Sequence, residues 1–160
     1  MYYPYSDMPE DSRVWVYQSS RELSDAECAE ISASIVPFLD EWTAHKQALR
    51  ASFRILYNRF IIFLIDEKAA MASGCSIDKS VQFVRNLENS FSLKLLDRMQ
   101  IAFRKDDTLS VLSKSDFEKK IQSGEVNANT IVFNNLVVSK SELEQHWEVP
   151  LKDSWHRVML

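Results

Sequence analysis

Ala51-Ser52-Phe53-Arg54-Ile55-Leu56-Tyr57-Asn58-Arg59-Phe60-Ile61-Ile62-Phe63-Leu64-Ile65 is the stretch that decides the fold. In its first half Ala51, Phe53, Ile55 and Tyr57 alternate with Ser52, Arg54 and Leu56. A period of two places successive side chains on opposite faces of a strand. The second half, Phe60 to Ile65, is apolar at every position and reads as a central strand covered on both faces. Asn58-Arg59 supplies the turn of a hairpin, and Asp66-Glu67 should return the chain to the surface.

Upstream, Arg13 to Ser19 repeats the two-residue alternation and predicts another strand. Ser24 followed by Glu27 is a capping box, in which each side chain satisfies the other residue's free amide. It opens a helix to about Trp42 with the stripe Cys28, Ile31, Ile35, Phe38 and Trp42, which Pro37 should kink or interrupt near its end. Downstream, Ser73 or Ser76 caps a second helix with the stripe Ile77, Val81, Val84, Leu87 and Phe91. Strands follow at Met99–Arg104 and Thr108–Leu112, joined by an Asp106-Asp107 turn. Ser115 starts a short helix ended by Gly124, and Thr130–Phe133 is a further strand. Ser139 with Glu142 caps a last helix that reaches His146 or Trp147 and is stopped by Pro150.

From Arg13 to Arg104 the order is strand, helix, strand, strand, helix, strand. This predicts an α+β fold with an antiparallel-rich sheet, helices on one face, and a ferredoxin-like βαββαβ core carrying a C-terminal β/α extension. No stretch rich in Pro, Gly or Ser divides the 160 residues, so one domain over 1–160 is expected. Hydrophobic residues at 46% and charged residues at 26% are ordinary globular usage and exclude a disordered chain. The longest apolar run falls far short of the roughly 20 residues needed to cross a bilayer. The amino-terminal residues lack a basic start and an apolar stretch, so a cytoplasmic protein is expected.

Net charge is −4, with Lys and Arg scattered among acids, which argues against nucleic acid as a partner. Phe60 and Phe63 point to opposite faces and cannot form one base-stacking platform. Two glycines, Gly74 and Gly124, are too few for a phosphate-cradling loop.

The residues nearest to chemistry lie in Ser73-Gly74-Cys75-Ser76-Ile77-Asp78. A thiolate at a helix start is stabilised by unpaired N–H groups and the helix dipole, which makes Cys75 a candidate nucleophile with His45 as its base. Ser73, Gly74, Ser76 and Asp78 are the candidate ligand-binding residues around it. The alternative is a cysteine in a tight turn with serines that merely cap the helix. Cys28 reads as packing on the inward stripe, and in a reducing compartment neither thiol is paired. His146 and His156 adjoin Trp147 and Trp155, which suggests an aromatic ligand pocket, a metal site with acidic partners or a clamp for the tail, but their spacing matches no zinc pattern. Asp66 and Glu67 could serve as a base or a metal ligand, or simply end a strand in solvent. No metal and no cofactor are expected.

The chain as a whole resembles a small family of bacterial proteins of about 160 residues that often carry the automatic label ABC transporter ATPase. The likeness rests on Ser12-Arg13-Val14-Trp15-Val16-Tyr17-Gln18-Ser19, Trp42-Thr43-Ala44-His45, Tyr57-Asn58-Arg59-Phe60, Ser73-Gly74-Cys75-Ser76-Ile77-Asp78, Asn129-Thr130-Ile131-Val132-Phe133-Asn134-Asn135-Leu136 and Trp147-Glu148-Val149-Pro150. The resemblance implies no catalytic residue at any position here. The label itself conflicts with the sequence: Gly74 is followed by Cys75-Ser76 and Gly124 by Glu125-Val126, so neither precedes the Lys and Ser or Thr that hold phosphates and magnesium. The reading that remains is a non-enzymatic binding or interaction module, a homodimer through an exposed sheet surface, with an unknown small molecule or protein as partner. Its rival is a cysteine-dependent enzyme or thiol sensor using Cys75.

Overall fold

A computed structural model describes all residues, 1–160, and has an α+β architecture. In chain order the elements are β1 (Arg13–Gln18), α1 (Asp25–Glu41), β2 (Thr43–Ala44), β3 (Gln47–Ala48), β4 (Arg50–Leu56), β5 (Phe60–Asp66), α2 (Gly74–Phe91), β6 (Gln100–Lys105), β7 (Thr108–Ser113), α3 (Lys114–Ser123), β8 (Ile131–Phe133), α4 (Lys140–His146) and β9 (Glu148–Pro150). No helix is long and apolar enough to cross a membrane. The single domain expected over 1–160 is organised as two compact units. One comprises Met1–Leu96 with Val138–Ser141, the other Asp97–Val137 with Glu142–Leu160.

The first unit is built on the hairpin. β5 lies between β1 and β4 and is antiparallel to both, with Val14 opposite Leu64 and Phe53 opposite Phe63. All seven β5 residues are buried, as an apolar run without alternation requires. Tyr57 and Asn58 turn the hairpin in left-handed conformations. The Asn58 amide holds that turn by donating to Leu23 O at 3.1 Å and Asp25 Oδ1 at 2.8 Å.

Ile31, Ile35 and Leu39 of α1 and Val84 and Leu87 of α2 pack with Tyr17, Ile61, Phe63 and Ile65, so both helices cover one face of the sheet. Phe63 sits among the rings of Tyr17, Phe38, Trp42 and Phe83 at 5.7 to 6.4 Å. The Ser24/Glu27 capping box is present, and α1 continues through Pro37 to Glu41 instead of ending there. Arg21 binds Glu27 through both guanidinium nitrogens (2.9 and 2.7 Å) and also donates to Phe91 O at 2.6 Å, joining the start of α1 to the end of α2.

The expected stripe on α2 is rotated. Ser76, Ser80, Val84 and Leu87 are buried, and Ile77, Val81 and Phe91 are only half-buried. Two serines tolerate burial because their hydroxyls donate to carbonyls of their own helix, Ser76 to Ser73 O at 2.8 Å and Ser80 to Ile77 O at 2.7 Å.

The second unit holds a sheet in the order β7-β6-β8-β9. Ile101, Phe103, Phe117, Val126, Val132 and Leu151 form its core. Here the ferredoxin-like expectation is corrected. β1, β5 and β4 form the split β-α-β part of that arrangement, but β6 does not take the fourth place beside β1. A two-residue turn makes β7 its nearest pairing partner, which costs little loop-closure entropy, and β6 pairs with β7 from Gln100↔Ser113 to Lys105↔Thr108. Val138 and Ser139 occupy the place beside β1: Val14 N–H donates to Val138 O at 3.1 Å, and Arg13 bridges Ser139.

Two smaller corrections concern ends. Ser113, not Ser115, caps α3, accepting from Asp116 N–H. Pro150 does not stop a helix; α4 already ends at His146, and Glu148–Pro150 pairs with β8.

Candidate functional site

At the start of α2 the geometry is that of a closed cap. Ser73 Oγ accepts from Ser76 N–H at 3.1 Å, and Ser76 Oγ accepts from Ser73 N–H at 2.7 Å, so both candidate ligand-binding hydroxyls are spent on the helix itself. Gly74 approaches nothing: a Cβ there would have no neighbour within 4 Å. Asp78 and Cys75 are exposed on the helix surface. His45 lies at the exposed tip of the β2–β3 hairpin, and no hydrogen bond joins it to Cys75. What reaches this turn from elsewhere is the buried Trp42, whose Nε1–H donates to Ser76 O at 2.9 Å. Cys28 is half-buried, and burial, followed by Asp25 and Glu27, pushes its thiol pKa up.

Asp66 does not end its strand in solvent. It is buried, accepts from Lys68 N–H at 3.1 Å and faces Arg50 at 4.0 Å. Glu67 accepts from Ala72 N–H at 3.0 Å, so the two acids brace the loop leading to α2.

The two histidines of the second unit separate. His146 is exposed. His156 is buried beneath Trp155 (ring centroids 4.1 Å apart), with Phe117 at 6.3 Å and Ser154 Oγ 2.6 Å from its Nδ1. Burial lowers its pKa to about 4. Trp147 is also buried, donating to Asn135 Oδ1 at 2.9 Å, which is the clamp-like role of the tail aromatics. No group of three or more His, Cys, Asp or Glu side chains is placed so that it could hold a metal ion.

The second unit also contains a cleft of about 450 Å³ between the end of β6, the end of α3 and the start of β8. Phe103 and Val126, both buried, are its apolar lining, and Arg104 and Asp106 also line it. At its mouth two ammonium groups converge on one oxygen: Lys120 Nζ lies 2.6 Å and Lys105 Nζ 3.7 Å from Glu125 Oε2. These contacts, the hydrogen bond from Lys120 first, lower the Glu125 pKa. Thr130 Oγ1 accepts from Asn127 N–H at 3.0 Å, which leaves its hydroxyl hydrogen able to donate into the cleft.

The sequence reading missed these residues. They come from separate elements and share no motif. The one local signal is Lys120 with Glu125 on either side of Gly124, whose left-handed conformation (φ 81°) turns the chain back so that the two side chains meet. Compared with protein-family models, with curated proteins and with solved structures, the chain matches none.

Proposed function

We propose that this chain is a non-enzymatic binding module whose C-terminal unit takes a small ligand with an anionic head and an apolar body. One observation carries the reading: Lys105 and Lys120 converge on a single carboxylate oxygen above a floor of Phe103 and Val126. Glu125 occupies the position a ligand carboxylate would take, and a ligand that displaces it keeps both ammonium contacts while burying its apolar part. The lysines supply orientation and the floor supplies most of the affinity.

The test is an NMR titration of the full chain with hexanoate, with hexylamine as the opposite-charge control. Hexanoate should shift the amides of Lys105, Lys120, Glu125 and Thr130, and the double variant Lys105→Ala/Lys120→Ala should lose the response. Shifts of equal size with hexylamine, or none at these four residues, would refute the reading.

A further inference from the structure

A strand at the edge of a sheet leaves a row of backbone groups unpaired, and three of the four outer edges in the two larger sheets are covered over part of their length or cut short. Along β4, Tyr3 N–H donates to Ala51 O at 2.8 Å and Ala51 N–H to Met1 O at 3.0 Å. Along β1 the edge is taken by Val138 and Ser139. β9 is only three residues long and ends in Pro150, which has no N–H to offer.

β7 has none of these protections. It ends the four-stranded sheet and reads Thr108-Leu109-Ser110-Val111-Leu112-Ser113, six residues without a charge or a proline. Lys114 N–H donates to Met99 O at 2.8 Å, which fixes the hydrogen-bonded positions of the hairpin. Bonded and non-bonded pairs alternate along an antiparallel ladder. Thr108, Ser110 and Leu112 therefore bond to β6, and the N–H and C=O of Leu109 and Val111 point outward.

We infer that β7 is the interface for a second copy of this chain, the two β7 strands pairing antiparallel about a twofold axis so that the sheet runs on from one copy into the other. Outward N–H groups sit on Leu109, Val111 and Ser113, the Ser113 carbonyl being taken up by the first turn of α3, so these must meet one another. With Val111 opposite Val111 of the second copy, Leu109 faces Ser113, and the central pair exchanges both of its hydrogen bonds. The charges argue for a copy of this chain as the occupant. Asp106 and Asp107 precede the strand, Lys114, 4.0 Å from Glu118, follows it, Asp116 beyond it is paired with Lys119 of its own helix at 3.4 Å, and the strand between is neutral. Antiparallel pairing brings the acidic turn of each copy to the Lys114 end of the other, at both ends of the interface. Parallel pairing would set acid against acid and lysine against lysine. The interface does not depend on the ligand reading, although Asp106 also lines that cleft.

Sedimentation velocity of the full chain over a concentration series tests it. The wild type should form a dimer whose population grows with concentration. Val111→Pro removes an outward N–H without touching the β6 ladder and should weaken the dimer roughly thirtyfold. Asp107→Lys should weaken it roughly tenfold, and adding Lys114→Asp to that variant should restore it. Circular dichroism checks that each variant is folded. A wild type that stays monomeric at every concentration overturns the inference, as does a dimer indifferent to both Val111→Pro and Asp107→Lys.

Discussion

The two units of this chain handle their polar groups differently. In the first, the edges of β4 and β1 are covered at Ala51 and at Val14, Ser73 and Ser76 accept from each other's N–H groups at the start of α2, and the strand-end acids Asp66 and Glu67 accept from nearby backbone N–H groups. In the second, β7 has an open edge, and Lys105 and Lys120 meet at Glu125 in a cleft that Arg104 and Asp106 also line. The difference teaches where to look for recognition. A segment can carry suggestive hydroxyls that are spent on its own helix, as those of Ser73 and Ser76 are, whereas a segment of plain residues can leave backbone groups without partners, as β7 does.

The largest effect that would sharpen this contrast is a pH dependence in the second unit. The His156 ring is buried with no carboxylate beside it, so its pKa lies at about 4 against 6.5 for an ordinary histidine. Between these values the unfolded chain binds a proton that the folded chain does not, so stability rises with pH across that window. The contribution is complete above pH 6.5 and falls by roughly 3 kcal/mol as pH drops to about 4. Urea denaturation of the wild type and of His156→Gln at pH 7 and pH 4.5 measures it. The variant should lose less stability on acidification; an equal loss would mean that His156 is not held neutral by burial.

How much of this was legible in the sequence depended on distance along the chain. β5 showed itself by an unbroken apolar run and α1 by the Ser24/Glu27 pair, because both signals lie within a few residues. The pairing of β6 with β7 also showed itself, through the Asp106-Asp107 turn, but that β6 has no place beside β1 did not, since no local pattern encodes a contact with so distant a strand. β9 hid in Glu148-Val149-Pro150, where the proline reads as a helix stop, although an edge strand also accepts it. The inward serines of α2 escaped a reading based on hydrophobic spacing, because their hydroxyls are satisfied by their own helix. The cleft residues converge only after α3 turns at Gly124 and β8 pairs with β6.

A smaller effect probes the closed side of the comparison. Ser73→Ala removes the acceptor for Ser76 N–H and should cost about 1 kcal/mol of stability by urea denaturation. A loss within error of zero would show that these hydroxyls were free for a ligand after all.

Amide hydrogen exchange compares the two kinds of edge within one sample. At low protein concentration Leu109 and Val111 should exchange quickly while Val14 and Ala51, on the paired edges, stay protected. Raising the concentration should slow Leu109 and Val111 and leave Val14 and Ala51 unchanged. Protection of Leu109 and Val111 already at high dilution, or fast exchange at every concentration, would contradict an open β7 edge that pairs with its own copy.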